Sequence, residues 1–454
     1  MKQFPFSRRS LLQGTLAGGL GAAPYVYSRG AVPTPEALTG KSLREPIRSR
    51  VMAGRATILD ELKPTPKQLE HGLQLHHDAY VADLMGAVYV AAAIGQPGPR
   101  LQHKLAWDRR ELEAEGVDPR EASRQVRRTW WEHKPLESAF ENGWQEDCRA
   151  LYELTGLDLA VEDNAGHYTF DQCLRWMATS NLAYGRLPGV ARIAGAKDLR
   201  RARNQGKLGL LSQLQGVHAL WVPGKSVENL DLFYGLGVRM AQLTHTHSNA
   251  VGWDAYQLWH RDRGLSREGR QVVRRMNELG VAVDLSHAAR RTALDAAEIS
   301  REPVINSHTA CSAVYRDIDQ RNVDDDYFKV VAGKGGLIGI YIVDHRLWDQ
   351  GDPSDRSKWN SDPPRPATFE QFALHLEHAV KVAGIEHIGI GTDLTYIPNY
   401  SARPMEWSNW PYWTVGLVAR GFSDEEIRKI LGGNALRFLD RVLDKKPWGA
   451  WGSG

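Results

Sequence analysis

Residues 266–287, SREGRQVVRRMNELGVAVDLSH, predict an amphipathic helix followed directly by a buried strand. Four apolar side chains share one face of this helix: Val272, Val273, Met276 and Leu279. Ser266 can cap the start of the helix and Gly280 can end it. The apolar run after Gly280 finishes in Asp284-Leu-Ser-His287, so polar side chains stand where the strand stops.

The same alternation of strand and helix continues on both sides of this unit. A first strand is predicted over 72–78 and a second near 157–161, and later strands over 207–216, 238–245, 281–287, 303–308, 336–343 and 387–393. Helices are predicted over 291–299 and 372–383, and from Asn434 onward. Polar residues end strands all along the chain, which favours a closed (β/α)₈ TIM barrel. A doubly wound sheet would gather its chemistry at one switch point, and no G-x-G-x-x-G or phosphate loop supports one.

The composition is that of a soluble protein. The 454 residues are 42% hydrophobic and 24% charged, with a net charge of +3, and the mean hydropathy is -0.44. Basic and acidic residues are interleaved, which argues against a nucleic-acid partner, and the three cysteines are too few for a disulfide framework. We expect one barrel domain over 36–445, a helical insertion over about 80–155 after the first strand, and a tail over 446–454.

The N-terminus carries an export signature. Ser7-Arg8-Arg9-Ser10-Leu-Leu precedes a short, glycine-rich, weakly apolar run, as in twin-arginine signals. We therefore exclude residues 1–35 from the fold and expect an exported, periplasmic protein with no transmembrane span. No clear cleavage site follows, so retention of the tail as a tether stays open.

Histidine and aspartate at strand ends suggest a divalent metal site. His76 and Asp78 alternate in the predicted first strand, so both side chains can face the same side. His287 and His308 end later strands and could hold a second ion. Two ions can share a hydroxide and polarise a carbonyl. The ordinary alternative for each of these side chains is a hydrogen-bonded residue of the core.

Several motifs, in this order, resemble the membrane (renal) dipeptidase family of metallo-hydrolases, within the amidohydrolase-like barrels. They are His76-x-Asp78, Gly264-Leu-Ser-Arg-Glu-Gly-Arg-Gln-Val-Val, Val-Asp-Leu-Ser-His287, Pro-Val-Ile-Asn-Ser-His308, Arg321-Asn322, Gly-Ile-Gly-Thr-Asp393 and Gly432-Gly-Asn-Ala-Leu-Arg. The resemblance covers about residues 70–440. It implies a zinc hydrolase that cleaves dipeptides through metal-bound hydroxide.

The resemblance also implies roles for individual residues. His76 and Asp78 would bind one zinc ion, and His287 and His308 the other. His245 would stabilise the oxyanion, and His247 is the nearby alternative. Two residues would hold the termini of the substrate: Arg321 its carboxylate and Asp393 its amine, with Asp393 also able to handle a proton.

Gln215 departs from the family pattern. The family bridges its two metals with a glutamate, and the matching segment here is Ser212-Gln-Leu-Gln215-Gly216. The neutral amide can ligate one ion through its oxygen but lacks the charge and the second oxygen of a bridge. Three interpretations stay open: two ions bridged by hydroxide alone, one tight and one loose ion, or a binding protein with little catalysis.

We therefore predict a metallo-dipeptidase that acts on dipeptides or similar small amides with a free carboxylate. The expected cofactor is Zn²⁺, as one or two ions, with another divalent metal as an alternative. The expected partner is a small dipeptide-like molecule, and a homodimer stays open. Two other functions compete: lactone or β-lactam opening at the same site, and non-enzymatic metal or ligand binding because of Gln215.

Overall fold

The protein was analysed as a computed structural model that describes residue 45 and most of residues 47–443. The parts outside the description are residues 1–44, 46, 87–98, most of 120–143, 222–225, 257–261, 318–320, 348–365, 395–403 and 444–454, with single residues at 165, 167 and 188. The predicted export signal and C-terminal tail therefore lie outside the described residues.

In the described part of the chain, nine short parallel strands build the centre of the fold. They are β1 (Ala82–Asp83), β2 (Leu159–Asp163), β3 (Val190–Arg192), β4 (Leu208–Leu214), β5 (Val238–Gln242), β6 (Ala282–Asp284), β7 (Ile305–Thr309), β8 (Leu337–Ile340) and β9 (Ile388–Ile390). Eight of them pair in the order β1-β2-β4-β5-β6-β7-β8-β9, and β3 pairs with β4 beside this path.

Two backbone hydrogen bonds close the sheet into a barrel. The amide of Leu84 donates to the carbonyl of Ile390 at 3.0 Å, and the amide of Asp393 donates to the carbonyl of Met85 at 2.8 Å. These bonds join the segment that leaves β1 to the segment around β9. The eight-stranded (β/α)₈ barrel predicted from the sequence is therefore confirmed.

Helices surround the barrel. They are α1 (Ile47–Leu62), α2 (Pro66–Asp78), α3 (Pro99–Ala114), α4 (Trp144–Thr155), α5 (Phe170–Gly185), α6 (Ala196–Asn204), α7 (Ser226–Gly235), α8 (Arg267–Leu279), α9 (Arg290–Ile299), α10 (Asp325–Gly333), α11 (Asp344–Leu347), α12 (Phe369–Ala383), α13 (Trp410–Ala419), α14 (Asp424–Arg428) and α15 (Asn434–Leu443). Among the described helices, none combines the length and the apolar character that a bilayer crossing requires.

Helix α8 forms as its sequence predicts. The hydroxyl of Ser266 accepts a hydrogen bond from the amide of Gly269 at 2.9 Å, and Gly280 ends the helix with φ of 75°. The apolar face is fully buried. The strand that follows is shorter than predicted, because regular pairing of β6 stops at Asp284, and the chain turns before it reaches His287.

The predicted first strand is wrong. Residues 72–78 belong to α2, which begins with a capping box between Thr65 and Gln68 and has Pro66 in its first turn. The first strand is instead β1, only two residues long, and it lies inside the range predicted as a helical insertion. The alternation of apolar and polar side chains in Leu73–His77 resembled a strand, whereas the cap upstream decides the helix.

The barrel interior changes from apolar to polar along the strands. The part farther from the carboxyl ends of the strands is filled by apolar side chains that pack on α15, such as Val161, Leu211, Met240 and Ile305. Nearer the carboxyl ends, Gln213 donates to the carboxylate of Asp284 at 2.5 Å across the lumen. The polar residues therefore gather at the carboxyl ends of the strands, where (β/α)₈ barrels place their sites.

Candidate active site at the carboxyl ends of the strands

Three histidines meet at this end of the barrel. His287 follows β6, His308 lies in β7, and His245 follows β5. The Nε2 atoms of His287 and His308 are 2.8 Å apart, and the rings of His245 and His287 have centroids 4.3 Å apart. His247, in contrast, is exposed, and its ring centroid lies 4.2 Å from that of His218 at a tilted angle. Residues predicted from distant parts of the sequence are thus brought together.

Two of the predicted site residues have left-handed backbone conformations. His287 has φ of 65° and Asp393 has φ of 56°, and only one other non-glycine residue of the described chain, Lys63, has a positive φ. Such conformations cost about 1–3 kcal/mol and are concentrated at functional sites. Each lies three residues beyond the end of a strand, His287 after β6 and Asp393 after β9, so both positive φ values occur at the carboxyl ends of the strands.

Burial determines the protonation of the paired histidines. It lowers the pKa of His287 and of His308 well below the usual value, and the nearby guanidinium of Arg321 lowers both further. Both rings are therefore neutral at pH 7. A neutral imidazole keeps one nitrogen lone pair, which can accept a proton or bind a metal ion.

Hydrogen bonds orient both rings through their Nδ1 atoms. The Nδ1 of His308 is 2.8 Å from the hydroxyl of Ser307, which itself donates to the carboxylate of Asp284 at 2.5 Å. The Nδ1 of His287 is 3.2 Å from the hydroxyl of Tyr256. These contacts leave the two Nε2 atoms directed toward each other.

Asp393 stands next to this pair. Its Oδ1 is 3.8 Å from the Nε2 of His308, and its side chain is 23% exposed, so the mouth of the site reaches solvent there. Burial raises the pKa of Asp393 to about 6, although Arg321 and Arg346 partly offset this effect. Asp393 is therefore mostly a carboxylate at neutral pH.

Arg321 lies next to His308. It is buried, and its Nη2 donates to the carbonyl of His308 at 3.1 Å. Its Nε is buried and finds no hydrogen-bond acceptor in the part of the chain that the structure describes. Such an unmet donor costs free energy unless a ligand or water supplies the acceptor.

Arg346 is a site residue that sequence reasoning missed. It is buried, pairs with the carboxylate of Asp317, and lies 5.4 Å from the centre of the Tyr256 ring. Its charge also lowers the pKa of His287 and His308. A charged tripeptide, Asp344-His-Arg346, follows soon after the apolar strand β8 and was an available signal.

His76 and Asp78 do not belong to this site, which corrects the sequence prediction. Both lie in α2, and both ring nitrogens of His76 are engaged: Nδ1 with the hydroxyl of Thr414 at 2.7 Å, and Nε2 with the carbonyl of Thr155 at 2.8 Å. Asp78 accepts from the amide of Gln74 at 2.7 Å. Neither side chain is directed toward the other predicted ligands.

The surroundings of His76 place it at the opposite end of the barrel. It lines a cavity of about 290 Å³ together with Asp158, which precedes β2, and with Leu208, which begins β4. The strands are parallel, so their amino ends all lie at this end. His287 and His308 lie at the carboxyl ends, and the two halves of the predicted ligand set are therefore separated by the barrel.

Gln215 lies just beyond the carboxyl end of β4 and is buried. The next residue, Gly216, has φ of 88°, and a side chain there would approach His218 at 2.7 Å and the Cβ of His245 at 3.2 Å. Glycine is therefore required for His245 to sit close to this strand end. Gln215 is thus held at the same rim as the histidines.

Known proteins were compared with this chain. A profile of the membrane dipeptidase family (peptidase family M19) matches residues 165–446, more than half of the chain. The chain belongs to the membrane dipeptidase family. The recognition made from the sequence motifs is therefore confirmed.

Two curated fungal dipeptidases are similar to the chain in sequence. Dipeptidase tcpJ of Claviceps purpurea is 32% identical over 251 residues, covering 55% of this chain and 54% of that protein. Dipeptidase verJ of Clonostachys rogersoniana is 31% identical over 237 residues, covering 52% of this chain and 56% of that protein. The chain thus spans about half the length of the curated relatives it matches.

Solved structures show the same fold. The probable dipeptidase PvdM from Pseudomonas aeruginosa superposes with a TM-score of 0.63 at 20% identity, covering 84% of this chain and 100% of that one. A metallopeptidase from Rhodobacter sphaeroides, liganded with a phosphinate mimic of L-Ala-D-Ala, superposes with a TM-score of 0.57 at 16% identity, covering 80% and 99%. At these identities the likeness is one of fold.

Membership of this family implies a divalent metal, and the donor set tests whether this chain can hold it. Within the described residues, no three histidine, cysteine, aspartate or glutamate side chains are arranged to hold a metal ion. The two-ion centre predicted from the sequence does not assemble, because His76 and Asp78 are elsewhere. The neutral pair His287 and His308 provides two nitrogen donors, and Gln215 follows β4 at the same end of the barrel.

Proposed function

We propose that this protein hydrolyses the amide bond of dipeptides, or of similar small amides with a free carboxylate, at the carboxyl end of its barrel. One observation carries the proposal: His245, His287, His308, Arg321 and Asp393 converge there from five separate stretches of the chain. The family and the relatives named as dipeptidases support it.

Arg321 would bind the carboxylate of the substrate. A guanidinium presents a planar set of donors that matches a carboxylate, and Arg321 has a buried donor with no acceptor in the described chain. Water is largely excluded around it, since the residue is only 2% exposed. The ion pair formed with a substrate would therefore be stronger than one at the surface.

Asp393 would hold the substrate amine at the solvent-facing edge of the site. A substrate gripped by Arg321 at one end and Asp393 at the other can be only about two residues long, which would exclude longer peptides. Asp393 lies beside His308, so it is also placed to accept a proton during the reaction.

His245 would stabilise the negative charge that develops on the attacked carbonyl oxygen. Its ring lies against that of His287, close to the proposed cation donors. A divalent cation, with zinc as the first candidate, would act as a Lewis acid on the same carbonyl when it is held by His287 and His308.

A second function is favoured by a specific observation. No donor of the first predicted ion is present at this rim, and Gln215 is neutral, so the site could bind a small carboxylate ligand without hydrolysing it. The alternative substrates are lactones and β-lactams, which would use the same cation but not the amine contact with Asp393.

A dipeptide-library assay distinguishes these functions. The library should contain L,L and L,D dipeptides, including L-Ala-D-Ala, with zinc or manganese added. We expect turnover that is abolished by a chelator and lowered at least 100-fold in His308→Ala. Asp78→Asn is the matched control, because Asp78 was a sequence-predicted ligand but lies in α2, and it should retain activity. Saturable binding of dipeptides without turnover under every metal condition would refute hydrolysis and favour the binding function.

A further inference from the structure

We propose that this site binds one divalent cation rather than two, through His287 and His308, with the amide oxygen of Gln215 as a further donor. The inference concerns the cofactor of the same site and rests on the proposed function for its location. It is based on which possible metal ligands lie at the carboxyl ends of the strands and which lie elsewhere.

The strand β1 supplies no metal ligand. Its last residue, Asp83, is fully buried, and its carboxylate accepts hydrogen bonds from the hydroxyl and the amide of Thr392 at 2.7 and 2.9 Å and from the amide of Met85 at 3.2 Å. A side chain at Gly86 would overlap this carboxylate. Asp83 is therefore used to attach β1 to the end of β9.

The segment that directly follows β1 in the sequence has no replacement ligand. Residues 84–98 contain no histidine, cysteine, aspartate or glutamate. Since His76 and Asp78 lie at the opposite end of the barrel, neither the strand nor the segment that follows it can provide the usual nitrogen or carboxylate donors of a second ion.

Gln215 limits the number of bound ions for a second reason. Its side chain has one oxygen acceptor, and its other polar atom is an amide nitrogen that only donates. A single oxygen can coordinate one ion, but it does not offer the two oxygens and the negative charge with which a carboxylate holds two cations close together.

The geometry of the two histidines suits one ion. Two nitrogen ligands of a tetrahedral zinc ion lie about 3.3 Å apart, given Zn–N distances of about 2.0–2.1 Å. The Nε2 atoms of His287 and His308 are 2.8 Å apart. Moving them apart by about another half ångström would admit the ion between them.

The hydrogen-bond network assigns the tautomer of His308. The hydroxyl of Ser307 donates its proton to Asp284, so it accepts from the Nδ1–H of His308. The Nε2 of neutral His308 then carries the lone pair that a metal ion needs. An oriented Nδ1–H of this kind is the usual partner arrangement of a metal-binding histidine.

His287 must change tautomer when the ion binds, and Tyr256 allows it. Without an ion, the Nε2–H of His287 donates to the Nε2 of His308, and its Nδ1 accepts from the hydroxyl of Tyr256. With an ion, Nε2 needs its lone pair, so the proton must lie on Nδ1. The Tyr256 hydroxyl can accept from it, because a hydroxyl both donates and accepts.

The metal content of the full-length protein tests the inference directly. The purified chain is loaded with excess zinc, dialysed, and assayed by elemental analysis, and a second sample is loaded with cobalt(II) for absorption and electron paramagnetic resonance spectra. We expect one ion per chain and the spectrum of an isolated cobalt ion. Two retained ions, a spin-coupled cobalt pair, or no retained ion would each overturn the inference.

Variants identify the donors. His308→Ala should lose the ion, whereas Asp78→Asn should retain one ion per chain, and circular dichroism checks that both are folded. Tyr256→Phe should weaken zinc binding about 10-fold, since a hydrogen-bond partner of a ligating histidine typically contributes that much. Loss of an ion in Asp78→Asn, or unchanged affinity in Tyr256→Phe, would count against the assignment.

Gln215→Glu separates the two proposed reasons for binding only one ion, which are the neutral side chain of Gln215 and the lack of a ligand from β1. We expect tighter binding of still one ion, because the rim would gain a carboxylate but β1 would still provide no donor. A second ion in this variant would show that β1 is not limiting and would overturn that step.

These results are distinguishable from a failure of the proposed function. A protein that holds one ion through His308 but cleaves no dipeptide would refute hydrolysis and leave the single-ion site intact. A protein that cleaves dipeptides with two bound ions would support hydrolysis and refute the single-ion site.

Discussion

Arg321 shows how the environment of one residue can define the ligand of a site. Its guanidinium is buried near His308 and Asp393, yet no carboxylate of the described residues forms an ion pair with it, whereas Arg346 is paired with Asp317. Two buried arginines in one site therefore have different tasks. Arg346 is paired within the protein by Asp317, and we propose that Arg321 pairs with the substrate.

Arg321→Lys tests this difference. Lysine keeps the positive charge but not the planar set of donors, so we expect KM for dipeptides to rise about 10- to 100-fold while kcat changes much less. Steady-state kinetics with a dipeptide and with its C-terminally amidated form measure the effect. The amidated form lacks the carboxylate, so its turnover should not change. An equal loss for both substrates would mean that Arg321 supports the fold rather than the substrate.

The sequence predicted most of the site because its residues follow regular elements. His287 was located by the strong pattern of α8 and the strand after it, and His308 and Asp393 by similar apolar runs. Arg346 was missed although a charged tripeptide after β8 was an available signal, because its ion pair with Asp317, 29 residues earlier, is not visible in the sequence.

At the scale of elements, β1 explains the largest error. A strand of two residues has no side-chain periodicity, so nothing in its own sequence distinguishes it from a loop. The neighbouring segment 72–78 mimics a strand and carries two histidines and an aspartate. Only the capping box of Thr65 and Gln68 indicated the helix, and the motif His-x-Asp outweighed it.

Asp83 fixes this short strand to β9, and its pKa makes the attachment sensitive to pH. Burial raises the pKa of Asp83 to about 7, whereas an aspartate in an unfolded chain has a pKa of about 3.9. The folded protein therefore binds the proton more tightly than the unfolded chain. This contribution to stability is complete below about pH 4 and is lost as the pH rises toward about 7.

Asp83→Asn should flatten the pH dependence of stability. Asparagine cannot ionise, so the loss of up to about 4 kcal/mol between about pH 4 and pH 7 should disappear from the free energy of unfolding. Urea unfolding at several pH values measures it. Glu162, whose pKa burial also raises to about 7, contributes with the same sign, so part of the slope should remain. A slope unchanged by the substitution would contradict this assignment.

At the scale of the whole molecule, the fold has two chemically different ends. The carboxyl ends of the strands carry the histidines, arginines and Asp393, while the amino ends carry His76 and the cavity beside α2. A motif at the end of a strand indicates the carboxyl end of the barrel only if the strand exists. His76 and Asp78 lie in the helix α2, so their motif did not indicate the end at which they lie. The barrel itself was predictable, because each of its later units repeats the same pattern.

We propose that the protein is exported through the twin-arginine pathway, a prediction that concerns residues outside the described part of the chain. Arg8→Lys with Arg9→Lys should keep the protein in the cytoplasm, because the pathway depends on the arginine pair rather than on positive charge alone. Cell fractionation of tagged protein measures the distribution. Lys2→Arg, which preserves the charge outside the motif, is the control, and unchanged export of the double variant would refute the proposal.

The left-handed backbone at His287 and Asp393 has a consequence for protein engineering. Asparagine and glycine adopt this conformation more readily than other residues, and neither carries a charge that burial would penalise. Selection of random variants for heat resistance alone would therefore enrich replacements at these two positions. The most heat-stable variants would then lack activity, so such a selection has to measure turnover as well as melting temperature.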